Sequence, residues 1–195
     1  MLTWMMMAGC LTRPLTTGEV EGLSKVYGQH VDYEPVRVRR GLKLGRAGAF
    51  VTRTIVNFPK HGYASDFSRE SKHSWLLFVH EIGHVWQYQH REQTGYSASK
   101  AIEEHRRFGR DVYAFEWPMA GVFRPLSYYR FEQQAEIFCL YARFLERADA
   151  PGSVETLREV VRRGLDRVGR TELAEPGAVP DPFPGLATCW TPDFP

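Results

Sequence analysis

The sequence predicts an α+β domain with a small antiparallel sheet near its N-terminus and two later helices that carry the chemically distinctive residues. Residues 36–40 and 49–59 alternate apolar and polar side chains, the period of strands with one buried face. Residues 75–93 and 128–147 instead repeat apolar side chains at the spacing of buried helices. We therefore expect the sheet to precede a buried helix and a second, partner helix.

Composition and charge limit the classes of protein that this chain can belong to. Its 195 residues suffice for one hydrophobic core, and we assign 13–170 to the domain and 171–195 to a Pro-rich irregular arm. The net charge of +2 is small and the basic residues are dispersed, which disfavours a nucleic-acid partner. No apolar run reaches the roughly 18 residues that a membrane span needs, and three cysteines without paired spacing predict no disulfide framework.

The elements can be placed in order from their end signals. Thr16, with Glu19 three residues later, forms a capping box that opens a helix, and Gly28 ends it. The two alternating segments follow, joined by a Gly-rich link, as a hairpin or as neighbouring strands. After a polar loop, Ser71 or Ser74 caps the buried helix.

Two further helices complete the predicted fold. Residues 98–110 form a polar, charged helix, and residues 153–168 form an amphipathic one. We expect the Pro-rich arm that follows to wrap the domain or to remain loose.

The buried helix carries the pattern His80-Glu81-Ile82-Gly83-His84. Residues four apart share one helix face, so both imidazoles can reach one metal ion, while Glu81 lies beside it as a base that can take a proton from water. The alternative is two core histidines satisfied by hydrogen bonds, with a surface glutamate between them. Buried charged and imidazole groups must find partners, which favours a metal site, and zinc suits these ligands.

Zinc needs a third protein ligand, and His90 is one candidate. It stands six residues after His84, the spacing of the H-E-x-x-H-x-x-G-x-x-H proteins, and Met119 would fit their methionine turn. Those proteins have glycine where this chain has Gln87. Without that glycine the helix continues, and six residues rotate His90 by about 240° from the metal face; we therefore expect His90 to be an exposed helix residue.

The second candidate, which we favour, is Glu132 in the segment Glu132-Gln133-Gln134-Ala135-Glu136. Glu132 would bind the metal from a second helix, and Glu136, one turn later, would accept the outer N–H of a ligating imidazole. Small residues, Gly83 on one helix and Ala135 on the other, would allow the two helices to approach closely.

These motifs resemble two known groups. H-E-x-x-H followed on a later helix by E-x-x-A-E resembles the gluzincin metallopeptidases, in which Asp is commoner at the position of Glu136. More narrowly, RPLTTGEVEGLSKVYGQHVDYEPVRV, TIVNFP and LFVHEIGHVWQYQ resemble a bacterial VgrG-related, zincin-like domain family of unknown function, associated with contractile injection systems. This second resemblance covers about residues 13–145.

The resemblance implies a zincin-like fold and zinc-dependent hydrolysis of peptide bonds in a peptide or protein substrate. His80, His84 and Glu132 would bind Zn²⁺, and Glu81 would be the general base. Strand residues 49–58 would be the edge along which an extended peptide lies. Four side chains are candidates for the donor that stabilises the oxyanion: Tyr128, Tyr129, Tyr63 and His61.

Two other functions share this site. One is a non-catalytic, zinc-stabilised component or cargo of a secretion or injection system, with spike proteins as partners. The other is an effector that cleaves peptidoglycan stem peptides. Cys189, in the C-x-x-P-D sequence of the arm, would in a further hypothesis bind the metal and hold the enzyme latent. The residues before Cys10 form a short, uncharged stretch, so we expect no signal peptide and either a cytoplasmic location or export by a dedicated secretion system.

Overall fold

The fold is described from a computed structural model, over residues 12–41, 48–114, 125–145 and 153–168. It is a mixed α+β structure, which confirms the predicted fold class. In chain order the elements are β1 (Thr12–Pro14), α1 (Thr17–Tyr27), β2 (Arg37–Arg40), β3 (Phe50–Thr52), β4 (Ile55–Phe58), α2 (Lys72–Gln89), α3 (Arg91–Thr94), α4 (Ala98–Phe108), α5 (Phe131–Phe144) and α6 (Ser153–Val168). Short 3-10 turns lie at Phe67–Arg69, Gly109–Val112 and Leu126–Tyr128. The predicted Pro-rich arm, Cys10 and Met119 lie outside the described residues, and the domain boundary at 170 stays a prediction.

The four strands form one sheet in the order β1-β2-β4-β3. The β1/β2 and β3/β4 pairs are antiparallel, but β2 and β4 run parallel, with Val38 opposite Val56. The prediction of a wholly antiparallel sheet was therefore wrong at this pair. Residues 50–58 turn back at Arg53, whose φ of 58° is left-handed, so they form a hairpin whose second strand, β4, lies beside β2. This leaves β3 at the edge.

The predicted capping box at the start of α1 is confirmed and reaches beyond the helix. The Thr16 hydroxyl accepts a hydrogen bond from the Glu19 backbone N–H, and the Glu19 carboxylate accepts one from the Thr16 N–H. The same fully buried carboxylate accepts two hydrogen bonds from the Arg13 guanidinium and one from the Phe67 N–H. Glu19 thus joins β1, α1 and the turn before α2. Gly28 ends the helix, as predicted, at a φ of 57°.

Helix α2 forms where the apolar run predicted it, with Ser71 as its N-cap. It ends at Gln89 rather than continuing to residue 93, because His90 leaves the helical conformation and the chain restarts as the short α3. Helix α2 packs most extensively against α5. At their closest approach, a Cβ added to Gly83 would lie 3.1 Å from both the Cα and the Cβ of Ala135, so the expected contact between small residues is confirmed.

The hydrophobic core lies between the sheet and helices α1, α2, α5 and α6. Its largest fully buried side chains are Trp86, Tyr27, Phe58, Phe67, Phe78, Phe138, Leu23, Ile82, Ile137, Leu140 and Leu157. Cys139 is also buried. Among the described residues, none of the helices has both the length and the apolar character to cross a bilayer.

Candidate metal centre

Three of the predicted site residues meet in the buried contact between α2 and α5. The Oε2 atom of Glu132 is 3.3 Å from Nε2 of His80 and 3.3 Å from Nε2 of His84. One ligand atom from each residue lies within 4.8 Å of the other two. Ligand atoms bound at about 2.0–2.1 Å to a tetrahedral zinc ion stand about 3.3 Å apart. The two distances from Glu132 to the histidines therefore match those around such an ion.

The two helices place these groups by simple periodicity. His80 and His84 are one turn apart on α2, and their rings meet edge to face with centroids 5.0 Å apart. Glu132 and Glu136 are one turn apart on α5, on the side that faces α2. Since Gly83 and Ala135 let the helices approach closely, the carboxylate of Glu132, 52 residues after His80 in sequence, reaches both imidazoles.

Each imidazole also has a partner for its outer nitrogen. Oε2 of the fully buried Glu136 lies 3.3 Å from Nδ1 of His80, the contact that the sequence predicted for this carboxylate. His84 differs, because its Nδ1 lies 2.9 Å from Oε1 of Gln87. The amide nitrogen of Gln87 donates to the Phe131 carbonyl, so its oxygen accepts and Nδ1 of His84 carries the proton. Nε2 of His84 is therefore directed toward Glu132 and a metal.

Sequence patterns did not predict that Gln87 would accept a hydrogen bond from His84. The residue type alone indicated only that the helix continues past the position where other proteins have glycine. Its position three residues after His84, inside an apolar run, was a signal that its amide would be buried near the imidazole.

The electrostatics of the three ligands are strongly coupled. Burial alone would raise the pKa of the Glu132 carboxyl, but the imidazoles of His84, His105 and His80 outweigh burial and hold that pKa well below its usual range. Burial alone would lower the pKa of His80, yet the hydrogen bonds and charges of Glu132 and Glu136 raise it well above its usual value. The ionised carboxylate of Glu132 is therefore favoured at the point where a cation would bind.

Glu81 lies beside the ligands and is 5% exposed. Within the described part of the chain, its Oε2 atom has no hydrogen-bond partner. Burial raises the pKa of this carboxyl, although the nearby imidazoles of His84 and His80 lower it in part. A buried carboxylate oxygen without a partner is costly, and a cation or a water molecule held by the site would offset that cost.

Three residues that the sequence did not single out also surround the centre. Nε2 of His105, on α4, lies 2.9 Å from Oε1 of Glu132. The Tyr113 ring lies 5.8 Å from the ring of His80, and the Tyr96 ring stacks on that of His84 at 6.1 Å. Burial, followed by the charge of Glu132, raises the pKa of both tyrosines. His105 stands in EEHRRFGR, a charged segment typical of solvated surface, so its sequence context pointed away from the site.

The structure places the predicted oxyanion donors in varied surroundings. Tyr128 lies in a 3-10 turn and Tyr129 follows it, with their rings 5.5 Å apart. Tyr129 belongs to the hydrophobic core, and Tyr128 packs against it. The Tyr63 ring lies beneath the guanidinium of Arg13. The role of these tyrosines in stabilising an oxyanion stays a prediction.

Two histidines that the sequence offered as candidates, His61 and His90, lie outside the triad. His61 is exposed in the turn after β4. His90, the rival third ligand, is half-buried rather than exposed, because it caps α2 and its Nδ1 donates to the Trp86 carbonyl at 2.9 Å. Glu132, and not His90, is the residue that the structure groups with His80 and His84.

Comparison with known proteins relates this chain to a bacterial secretion system. No protein-family model matches it. It is 32% identical to the type VI secretion system spike protein VgrG2b of Pseudomonas aeruginosa over an alignment of 144 residues, which covers 69% of this chain and only 13% of that protein's length. It is also similar in fold to the effector domain of P. aeruginosa VgrG2b, with 28% identity and a TM-score of 0.57 over 77% of this chain and 82% of that domain. Both similarities support a relationship to VgrG-related effector domains.

Proposed function

We propose that this chain is a secretion-system effector domain that hydrolyses peptide bonds with a zinc ion held by His80, His84 and Glu132. The single observation that carries the proposal is the meeting of these three ligand atoms, with Oε2 of Glu132 3.3 Å from Nε2 of each histidine, beside the buried carboxylate of Glu81. The similarity to the effector domain of VgrG2b supports the secretion-system part of the proposal independently of the chemistry.

In the proposed hydrolysis, the metal ligands and Glu81 have different roles. A bound zinc ion would supply Lewis acidity that acidifies a water molecule and polarises the scissile carbonyl. Glu81 would accept the proton that the water loses as its oxygen bonds to the carbonyl carbon. Glu81 would then deliver that proton to the leaving amine as the C–N bond breaks. Because burial raises the pKa of Glu81, this carboxyl is suited to hold the proton between the two steps.

The edge of the sheet offers a place for a peptide substrate to bind. Strand β3 is at the edge of the sheet and contacts α2, the helix that carries His80 and His84. Within the described ranges, no strand pairs with the outer side of β3, and an extended peptide can pair with such an edge through its backbone. The proposed substrate is therefore an extended peptide segment, either in a protein or in a peptidoglycan stem.

In the alternative function the protein binds zinc but does not hydrolyse peptide bonds. A relative is named as a secretion spike protein, so this chain would be a component or cargo that associates with a spike and uses zinc for folding. The same association would deliver the enzyme in our main proposal. The two proposals therefore differ in turnover alone.

The variant Glu81→Gln distinguishes the catalytic proposal from the non-catalytic one. We expect this variant to fold and to bind zinc as the unmodified protein does, while hydrolysis of a mixed peptide library and of peptidoglycan falls by about 10²–10⁴-fold, the usual contribution of a general base. Glu92→Gln, at an exposed position on α3, is the matched control and should be fully active. Equal turnover by Glu81→Gln, or zinc-loaded protein that cleaves neither substrate, would favour the non-catalytic alternative.

A further inference from the structure

Helix α4 brings a third histidine to the centre. Nε2 of His105 lies 2.9 Å from Oε1 of Glu132, while the other oxygen of Glu132, Oε2, faces His80 and His84. The two oxygens of this carboxylate thus have different partners. Because a carboxylate only accepts hydrogen bonds, Nε2 of His105 is the donor.

This contact is part of a wider attachment of α4 to α5. Glu104, the residue before His105, accepts a hydrogen bond from the backbone N–H of Phe131, at 3.1 and 3.4 Å to its two oxygens. Phe131 is the first residue of α5, and Glu132 is the second. Two successive side chains of α4 therefore bind the first turn of the helix that carries the third ligand.

Apolar packing does little to hold α4 in this position. Ala101 is its buried residue, and Ile102 is 59% exposed. Helix α4 is attached to the start of α5 by Glu104 and His105 and by the Arg130 guanidinium, which lies 3.9 Å from the centroid of the Phe108 ring. An isolated ion pair on an open surface would be worth little. Here Glu132 is 4% exposed and the His105 side chain is 42% exposed, so their hydrogen bond is shielded from water on the Glu132 side.

We propose that His105 is a positioning residue of the metal centre: it holds Oε1 of Glu132, so that Glu132 offers Oε2 alone to the metal. This inference rests on the proposed zinc site. It also gives α4 a function, because the helix becomes the support of a ligand rather than a solvated surface element. Partners that orient a metal ligand typically change metal affinity by about 10–100-fold when they are removed.

The test compares three substitutions of His105 in the full chain. His105→Leu removes the donor and keeps the bulk. His105→Gln keeps an N–H at the position of Nε2, whereas His105→Asn places its N–H at the position of Nδ1. Arg106→Leu, at an exposed neighbour that bonds to Glu103, is the matched control on the same helix. Zinc affinity is measured by competition with a chelator, and the ligand field by the visible spectrum of the Co²⁺-loaded protein.

We expect His105→Leu and His105→Asn to weaken zinc binding by about 10–100-fold and to shift the Co²⁺ spectrum. His105→Gln should restore both to near the values of the unmodified protein, and Arg106→Leu should change neither. Zinc affinity and spectra that are the same in all four variants, while His84→Ala abolishes binding, would overturn the inference and leave the metal centre intact. Failure of hydrolysis would instead be seen as zinc binding without turnover in the unmodified protein, and the comparison of affinities would still decide the role of His105.

Discussion

The contact between Gly83 and Ala135 sets the distance between the two ligand-bearing helices, and Gly83→Ala tests it directly. The added methyl group would lie 3.1 Å from the Cα and Cβ of Ala135 and 3.4 Å from the hydroxyl oxygen of Tyr27. Ordinary carbon–carbon contacts are about 3.5–4.0 Å. Helices α2 and α5 would therefore have to separate by roughly 0.5 Å, the difference between these distances.

Two effects of opposite sign determine how Gly83→Ala changes the free energy of unfolding. In a helix interior, alanine is more favourable than glycine by about 1 kcal/mol. Inserting a methyl group into a tightly packed interior costs about 1–3 kcal/mol, and the backbone Cα of Ala135 cannot rotate away as a flexible side chain could. We expect overpacking to prevail, with a net loss of about 1 kcal/mol in the free energy of unfolding. Since His80 and Glu132 face each other across this contact, zinc affinity should fall by about 10-fold.

Urea denaturation of the metal-free protein and chelator competition measure the two quantities. The double variant Gly83→Ala/Ala135→Gly, which removes one of the two 3.1 Å contacts, should recover part of the zinc affinity. A gain of about 1 kcal/mol in Gly83→Ala, as helix propensity alone predicts, together with unchanged zinc affinity, would refute the tight contact.

Three further predictions concern single side chains. Glu19→Gln should lower the free energy of unfolding by about 3–5 kcal/mol in urea denaturation, because it leaves the guanidinium of Arg13 without its buried carboxylate partner; a loss of less than about 1 kcal/mol would contradict this. Gln87→Met should weaken zinc binding by about 10–100-fold in chelator competition, since Nδ1 of His84 loses its acceptor; unchanged affinity would count against it. Hydrogen bonds to the Asp66 carboxylate, above all the one from Ser68, lower the pKa of Asp66 in the folded state. The ionised carboxylate therefore stabilises the fold above about pH 4, and this stabilisation is lost as the pH falls through the folded-state pKa of Asp66. Thermal denaturation between about pH 5 and pH 2 should therefore be less pH-dependent in Asp66→Asn, and an equal slope would show that Asp66 contributes nothing.

Sequence patterns predicted the features that depend on neighbours along the chain. The capping box at Thr16, the helical face shared by His80 and His84, and the spacing of Glu132 and Glu136 all follow from helical periodicity. Glu132 could be chosen as a ligand from the sequence alone because its helix is crowded with apolar residues, so that its carboxylates had to lie near the core.

Features that depend on which distant surfaces meet were not predictable in this way. The parallel pairing of β2 and β4 depends on a turn at Arg53, a residue whose type gives no turn signal. The role of His105 depends on how α4 packs beside α5, and its polar, exposed helix resembles any solvated surface helix. Periodicity shows which side chains share a face, but it does not show what that face will contact.

Zinc K-edge X-ray absorption on the purified, zinc-loaded protein tests the metal centre most directly. The ligand set of His80, His84 and Glu132 predicts one zinc ion per chain, a shell of nitrogen and oxygen atoms at about 2.0–2.1 Å with the outer scattering of two imidazoles, and no sulfur. Glu132→Ala should alter that shell and lower the metal content. A zinc–sulfur distance of about 2.3 Å, or a spectrum and zinc content that Glu132→Ala leaves unchanged, would contradict the assignment.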